Sequence, residues 1–428
     1  MALIYIVLSI SISSNINFFP SFKGDFMFLD KLKDDELWFS YYQSKIEQDF
    51  ISDKEKKELE DFVLNKKYQS IVNLLYHHKY HFSIPQKHYI NKNHGSKKRI
   101  VYTYTKEEMQ VLKFIAYLLY EYDYLFSKNL YSFRKVIGVR DAVKSITYTK
   151  NIQNMVGYKV DIKNYFNSIS KDILLKNLQK DILDQDLYSI ISDVIGNDYV
   201  FFQDSIIKEQ KGVIAGNPIS AFLANYYLRE IDEYFWKEKV FYIRYADDIL
   251  IFSNSEEERE KYRKKLYSFL QKYHLDINPK KEHYYEKGEK FEFLGFSFSG
   301  KEVDISHNTL YKIKGKIRRS MRGYRRWMLK NGVDSFVTIK AINRKYQKKF
   351  FGNDNSELSW RYWYFPTITT SKSLKLIDQY FQEEVRYMIT GKHNKKNYQL
   401  VPYSVLKDCH YRSLVHEFYL YKNITHNK

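Results

Sequence analysis

Between Lys31 and Leu130 apolar residues recur three or four positions apart, in Leu37–Phe50, Leu59–Tyr68 and Met109–Phe126. That spacing lays an apolar stripe along one side of a helix and predicts three of them. Asn91–Tyr104, between the last two, is basic and then β-branched and aromatic, which predicts a turn feeding a strand. From Tyr158 to Phe298 the period shortens and strands alternate with helices. The pattern predicts a strand over Tyr158–Ile162, a helix from about Lys171, a glycine-bearing loop and a long helix over Pro218–Trp236. A hairpin around Asp247-Asp248 follows, then a charged helix over Glu256–His274 and paired strands ending near Gly295. After Asp304 the chain reads as helical and strongly basic to its end. This order predicts an α+β fold. With 428 residues the chain exceeds one ordinary core, so subdomains meeting near residues 155 and 300 are expected.

The hairpin carries the chemistry. Asp247 and Asp248 stand between two apolar runs, Phe241-Tyr242-Ile243 and Ile249-Leu250-Ile251-Phe252. Burying paired anions costs several kcal/mol unless a cation meets them, and divalent metals are the usual partner. Upstream, Asp161 ends an alternating strand. Two carboxylate-bearing strand ends at one sheet edge can hold two Mg²⁺ ions about 3.5–4 Å apart, the arrangement used in phosphoryl transfer. The plainer reading is an acidic turn, since Asp is common in turns; a tight turn rarely sits in so apolar a run.

Charge names the partner class. Lys and Arg number 70 against 51 Asp and Glu, and a surplus of +19 calls for a polyanion, nucleic acid first and a membrane surface second. Lys312–Lys330 holds nine basic residues and no acid. On a helix Lys312, Lys316, Arg319, Arg326 and Lys330 share one face, and Ile313, Ile317, Met321, Tyr324 and Met328 another, so one side packs while the other meets phosphates. A solvated basic helix has the same pattern. The 41 tyrosines add faces on which bases can stack, though most belong to the core. A single cysteine, Cys409, excludes an internal disulfide and fits a reducing cytoplasm. The apolar start, Ala2–Ile12, has neither a basic flank nor a cleavage pattern and is too short to span a bilayer; a start at Met27 would make it an artefact.

Taken together, Asp161 with Phe166 five positions on, Gly216-Asn217-Pro218-Ile219-Ser220 with Leu223-Ala224-Asn225, Tyr245-Ala246-Asp247-Asp248, Asn278-Pro279-Lys280-Lys281 and Phe293-Leu294-Gly295 resemble the palm of reverse transcriptases. The likeness covers roughly residues 98–300 and is nearest to bacterial enzymes related to group II introns and retrons. It implies a right-hand polymerase: an N-terminal extension (1–30), fingers (31–155), a palm with an antiparallel sheet (156–300) and a helical basic thumb (301–428).

Carried over residue by residue, the resemblance makes Asp161, Asp247 and Asp248 the metal-binding and catalytic carboxylates, with the Ile162 carbonyl as a further ligand. Phe166 becomes a gate against the 2′-hydroxyl of ribonucleotides, or else plain core packing. Gly216, Asn217 and Pro218 would open the helix beneath the templating pair, or else mark a plain helix start with proline in its first turn. Lys281, or its neighbour Lys280, would protonate departing pyrophosphate, and a solvated basic turn is the alternative. Lys98, Arg99 and Arg134 would grip the triphosphate of the incoming deoxynucleotide, and ordinary surface charge is the alternative for each. Tyr245, Phe293, Leu294 and Gly295 would hold the primer, though packing alone also explains the Phe293-Leu294-Gly295 hairpin. One departure stands out: Ile214-Ala215 replaces the Pro-Gln usual before that glycine, removing a contact near nucleotide and template. The implied activity is copying RNA into cDNA with two Mg²⁺ ions, with no membrane role. A cognate noncoding RNA as template and a role against phage follow by association, and no further nuclease is expected beyond the thumb-sized region after Gly295. Two alternatives stay open: a maturase-like RNA-binding protein, and a polymerase that is template-independent or primed from its own tyrosine or serine.

Overall fold

The computed structural model describes residues 27–48, 51–91, 98–209, 212–213, 215–352 and 359–426. These divide into two compact units, one taking the described residues up to Ala142 with Asn154–Lys287, the other Val143–Gln153 with Gly288–Lys428.

In the first unit several helices start where capping side chains satisfy their free N–H groups. Asp34 accepts from the N–H groups of Glu36 and Leu37 to open Asp35–Ile46. Ser52 with Glu55, and Thr105 with Glu108, form capping boxes for Asp53–Leu64 and Lys106–Leu118. The predicted helices are therefore present with shifted ends. The stretch expected to run on to Phe126 tightens into a 3₁₀ turn over Leu119–Leu125. Trp38 clasps this helical layer together: it is fully buried and stacks on Tyr68 at 4.3 Å and Phe114 at 3.9 Å.

Two four-stranded sheets complete this unit. Strands β1 (Gln86–Asn91), β2 (Lys98–Thr103), β4 (Tyr199–Phe202) and β5 (Ser205–Lys208) form one, in the order β2-β1-β4-β5. Strands β3 (Val156–Asp161), β6 (Phe241–Tyr245), β7 (Asp248–Ser253) and β8 (His283–Tyr285) form the other, in the order β6-β7-β3-β8, antiparallel at every pairing. Ile249 to Ser253 of β7 are all buried, as a strand flanked on both edges and packed against the helix Glu256–Lys272 requires. The long helix expected over Pro218–Trp236 is two, Ser220–Tyr227 and Arg229–Lys237, broken at Leu228 with φ −106° and ψ 11°. Every residue of the first is buried, whereas the second turns in only Ile231, Asp232 and Phe235; the change of character accompanies the break.

The second unit opens on a three-stranded meander, β9 (Phe291–Phe293), β10 (Phe296–Ser299) and β11 (Glu302–Ile305). Strand structure thus continues ten residues past Gly295, in pieces too short for a clear alternation. Ser306 then caps the helix His307–Asn331, whose buried Ile313, Ile317, Met321 and Met328 pack on Lys372–Thr390 and Ser335–Phe350. Burying such side chains contributes about 1.5–3 kcal/mol each. Asp378 pins the C-terminal helix Leu414–His426: its carboxylate accepts from the N–H groups of Leu414 and Val415 and the hydroxyls of Ser413 and Tyr411. Among the described residues no helix is long and apolar enough to cross a membrane.

Candidate active site

Strand register brings the three aspartates to one sheet edge. Asp161, the last residue of β3, lies opposite Asp248, the first of β7, and Tyr245 lies opposite Asp248 on the other side. Residues directly opposite in a ladder point to the same face, so Asp161 and Asp248 do. Asp247 sits in the two-residue turn between β6 and β7. Its carbonyl accepts from the Ile162 N–H at 3.0 Å, which ties the turn to the end of β3. The Asn278 N–H donates to the Asp161 carbonyl at 2.8 Å and the Lys163 N–H to that of Asp276 at 2.8 Å, fixing the segment that carries Lys281. The Lys281 ammonium reaches the Asp161 carboxylate.

The electrostatics are those of an under-neutralised site. Burial, then Asp248 and Asp161, push Asp247 up to about 6. Burial also raises Asp248, against the pull of Lys159. Burial works against the Lys281 ammonium, but Asp161, Asp247 and Asp248 together hold its pKa above the usual lysine value. Carboxylates that resist ionising beside one another favour a further cation. Among the described residues no group of three or more His, Cys, Asp or Glu side chains is arranged so as to hold a metal ion by itself. Mg²⁺ is commonly held by one or two carboxylates, with water and substrate phosphates completing its shell. Asp161, Asp247, Asp248 and the Ile162 carbonyl, hard oxygen donors, are the groups that could hold it.

Beneath the turn lies a polar network. Arg244, fully buried, forks onto Asp232 at 2.8 and 2.5 Å and donates to the carbonyls of Asn225 at 3.0 Å and Ala246 at 3.4 Å. Tyr242 donates to the same Asp232. Breaking so buried a pair from one side costs about 3–5 kcal/mol. The segment Asn129–Ser132 runs beside β6, accepting the Arg244 N–H at Asn129 and giving the Tyr131 N–H to the Arg244 carbonyl. Arg244 and Asp232 carry no signal in the sequence that marks them for this site: an arginine within a strand is an ordinary surface residue until the fold buries it.

Phe166 stands on the short helix Tyr165–Ser168, its ring 6.2 Å from Phe133 and nearly perpendicular to it. Phe133 also lies 6.4 Å from Tyr245, itself half-buried at the end of β6. In the sequence Phe133 stands out only within Ser132-Phe133-Arg134, a stretch that resembles a fingers motif; the fold sets its ring between Phe166 and Tyr245. Gly216 has φ +115°, and a Cβ there would lie 2.5 Å from the Tyr102 carbonyl; one on Gly212 would lie 2.6 Å from Asn167 Cα. Glycine is thus required where this loop passes between β2 and the Phe166 helix.

Other expected contacts are placed differently. Arg134 is buried and holds Asp123 with both arms of its fork, at 2.5 and 2.7 Å, and the carbonyls of Ser127 and Leu130, so its guanidinium is engaged inward rather than presented as a phosphate clamp. Asn217 is buried, with its side-chain oxygen accepting the Ile219 N–H at 3.1 Å; it shapes the turn before the helix, and Pro218 beside it is buried too. Lys98 and Arg99 belong to β2, but their side chains, like Ile214, fall outside the described residues.

In the second unit, Leu294 (φ 49°) and Gly295 (φ 89°) form the tight turn between β9 and β10, and Phe293 is buried against the meander. Lys312, Arg319, Arg326 and Lys330 are exposed on the helix His307–Asn331, and Lys316 is half-buried. Burial and the neighbouring Lys349, Arg319 and Lys312 depress Lys316 to about 8.

No curated protein matches the chain. Similar solved structures include apo telomerase from Candida tropicalis truncated from its C-terminal domain, at 14% identity over 57% of this chain and 60% of that one, with a TM-score of 0.42. Telomerase from Candida albicans with a TWJ fragment of telomeric RNA aligns at 12% identity over 81% of this chain and 66% of that one, TM-score 0.44. Apo telomerase from Candida tropicalis aligns at 12% over 77% and 66%, TM-score 0.45. The chain thus spans less than two thirds of the length of these telomerases. The family model described as reverse transcriptase (RNA-dependent DNA polymerase) matches residues 66–298, more than half of the 428, and that stretch contains all three aspartates, Phe166, Gly216 and Lys281. An α+β chain with its carboxylates at one edge of an antiparallel sheet, it belongs to the reverse transcriptase family.

Proposed function

We propose that this chain is an RNA-directed DNA polymerase that joins deoxynucleotides along an RNA template to make cDNA, with two Mg²⁺ ions at Asp161, Asp247 and Asp248. The observation that carries this is the pairing of Asp161 with Asp248, with Asp247 in the adjoining turn, inside the stretch that matches the family. Asp161 and Asp247 are the main ligands, with Asp248 supporting and the Ile162 carbonyl adding a donor. Bound metal supplies activation of the primer hydroxyl and stabilisation of the leaving oxygen.

The chain's own residues do the rest. Phe166 sets its ring beneath the sugar and leaves no room for a 2′-hydroxyl. Lys281, kept protonated by the aspartates, stands ready to give a proton to pyrophosphate. Between His307 and Phe350 fourteen lysines and arginines face a single acid, Asp334, a surplus suited to the phosphates of a template–primer duplex. Fingers over 31–155, palm over 156–300 and thumb over 301–428 belong to this reading. So do a cytoplasmic setting, a cognate noncoding RNA as template and a role in defence against phage, which rest on the resemblance to retron-like and unclassified bacterial enzymes.

The test is Asp247→Asn with Asp248→Asn. Incorporation of dNTPs on an RNA template should be lost while RNA binding persists, and activity surviving in the double variant overturns the mechanism.

A further inference from the structure

Ser132 is fully buried, and its polar groups are used on two sides. Its hydroxyl accepts the Ala246 N–H at 2.8 Å and donates to Asn225 Oδ1 at 3.0 Å. The Asn225 side-chain amide returns a bond to the Ser132 carbonyl at 2.7 Å. Asn225 therefore fixes both the backbone of Ser132 and the direction of its hydroxyl proton, leaving a lone pair aimed at Ala246.

Ala246 is the residue that needs holding. It adopts φ 55°, the left-handed region that a side chain with a Cβ disfavours, in the turn immediately before Asp247. Ala246 is itself buried, so without Ser132 its N–H would have no solvent to turn to. Its carbonyl lies 3.4 Å from the Arg244 guanidinium, which Asp232 locks. The strained residue is thus gripped at both ends. Such strain persists only where the surroundings over-determine it, and it clusters where geometry matters to function.

We propose that Ser132 is a positioning residue: its hydroxyl, aimed by Asn225, holds Ala246 left-handed and so fixes Asp247 against Asp161 and Asp248. The consequence for catalysis rests on the polymerase reading above; the coupling between Ser132 and Ala246 does not. Losing the hydroxyl lets Ala246 relax toward extended backbone, and Asp247, the next residue, swings with it.

A double-mutant cycle of Ser132→Ala and Ala246→Gly tests this, because glycine adopts the left-handed conformation without help. Ser132→Ala alone should raise the Mg²⁺ concentration for half-maximal dNTP incorporation by roughly five- to tenfold, about the worth of one buried hydrogen bond, and lower kcat with the KM for dNTP little changed. Adding Ala246→Gly should recover most of that loss. The midpoint of thermal unfolding should show the same non-additivity without reference to activity. Failure of the wild-type chain to incorporate dNTPs would sink the polymerase reading and leave the thermal cycle to decide this proposal. Additive effects in the thermal cycle, or an unchanged Mg²⁺ dependence in an active Ser132→Ala protein, overturn it.

Discussion

Asp161 and Asp248 face each other across the β3–β7 ladder, each at the end of its strand, with Asp247 one residue beyond. Like charges directly opposite destabilise a ladder, so this edge is held together at a cost that a bound cation removes.

The cost has a pH signature. Asp247 is raised by burial and its neighbours to about 6, against 3.8 in the unfolded chain. A carboxyl raised on folding makes the folded state bind more protons, so its contribution falls as pH rises from about 4 to about 6 and stays low above that. In metal-free protein, Asp247→Asn should therefore raise stability at pH 7, by roughly 2–3 kcal/mol at most, and the gain should vanish near pH 4. Added Mg²⁺ should stabilise the wild type and not the variant. Thermal unfolding across pH 4–8 with EDTA, then with Mg²⁺, measures this; a variant less stable than wild type at pH 7 without metal refutes it.

Lys281 rests on the carboxylate that Mg²⁺ is proposed to occupy. On that proposal the ammonium must leave Asp161 or share it when metal binds, so it would compete with the ion before serving as the proposed acid. Lys281→Met should tighten Mg²⁺, lowering its half-saturation a few-fold, while kcat falls by roughly 10²–10⁴ as expected for loss of a general acid. Metal titration of single-nucleotide incorporation separates the two effects. Weaker metal dependence on both counts would show that the lysine only props up Asp161.

At Gly216 the backbone leaves no room for a side chain: the position is left-handed and a Cβ would meet the Tyr102 carbonyl at 2.5 Å. Since the obstacle is backbone of β2 and not a flexible side chain, Gly216→Ala must displace either the strand or the loop behind Phe166. A loss of about 1–3 kcal/mol is expected. Primer extension should fall with it, and Gly288→Ala, where nothing lies within 4 Å of a Cβ but φ is also positive, serves as the control for strain without collision.

These residues differ in how openly the sequence shows them. Asp247 and Asp248 interrupt an apolar run, and Gly216 with Pro218 breaks a helical pattern, so each violates a local rule that the eye can catch. Ser132 violates none; its partners Asn225 and Ala246 lie 93 and 114 residues away, and only the docking of Asn129–Ser132 beside β6 makes its hydroxyl matter. Arg134 shows the converse, since a motif-like position promised an outward fork and Asp123, eleven residues back, takes it inward. For the fold, helices with a sustained stripe were legible, whereas β9, β10 and β11, at three or four residues each, were too short to establish a period of two.

On the proposed reading, Phe166 and Phe133 divide one task. Phe166 is proposed to exclude the 2′-hydroxyl, but a ring excludes only if it cannot turn aside, and Phe133 stands edge-on against it at 6.2 Å. Phe133 is itself left-handed at φ 52°, strained for a bulky residue, with Ser132 beside it bonded to the turn. Phe166→Ala should admit ribonucleotides and raise the ratio of rNTP to dNTP kcat/KM by 10²-fold or so, the scale of removing a well-packed steric contact. Phe133→Ala should leave the ring in place but loosened, and shift the same ratio by roughly tenfold or less. Combined, the two should give no more than Phe166→Ala alone, because a buttress has nothing to support once the gate is gone. If instead the two shifts multiply, Phe133 touches the sugar on its own account. If neither moves the ratio, Phe166 is core packing, and sugar selection lies elsewhere.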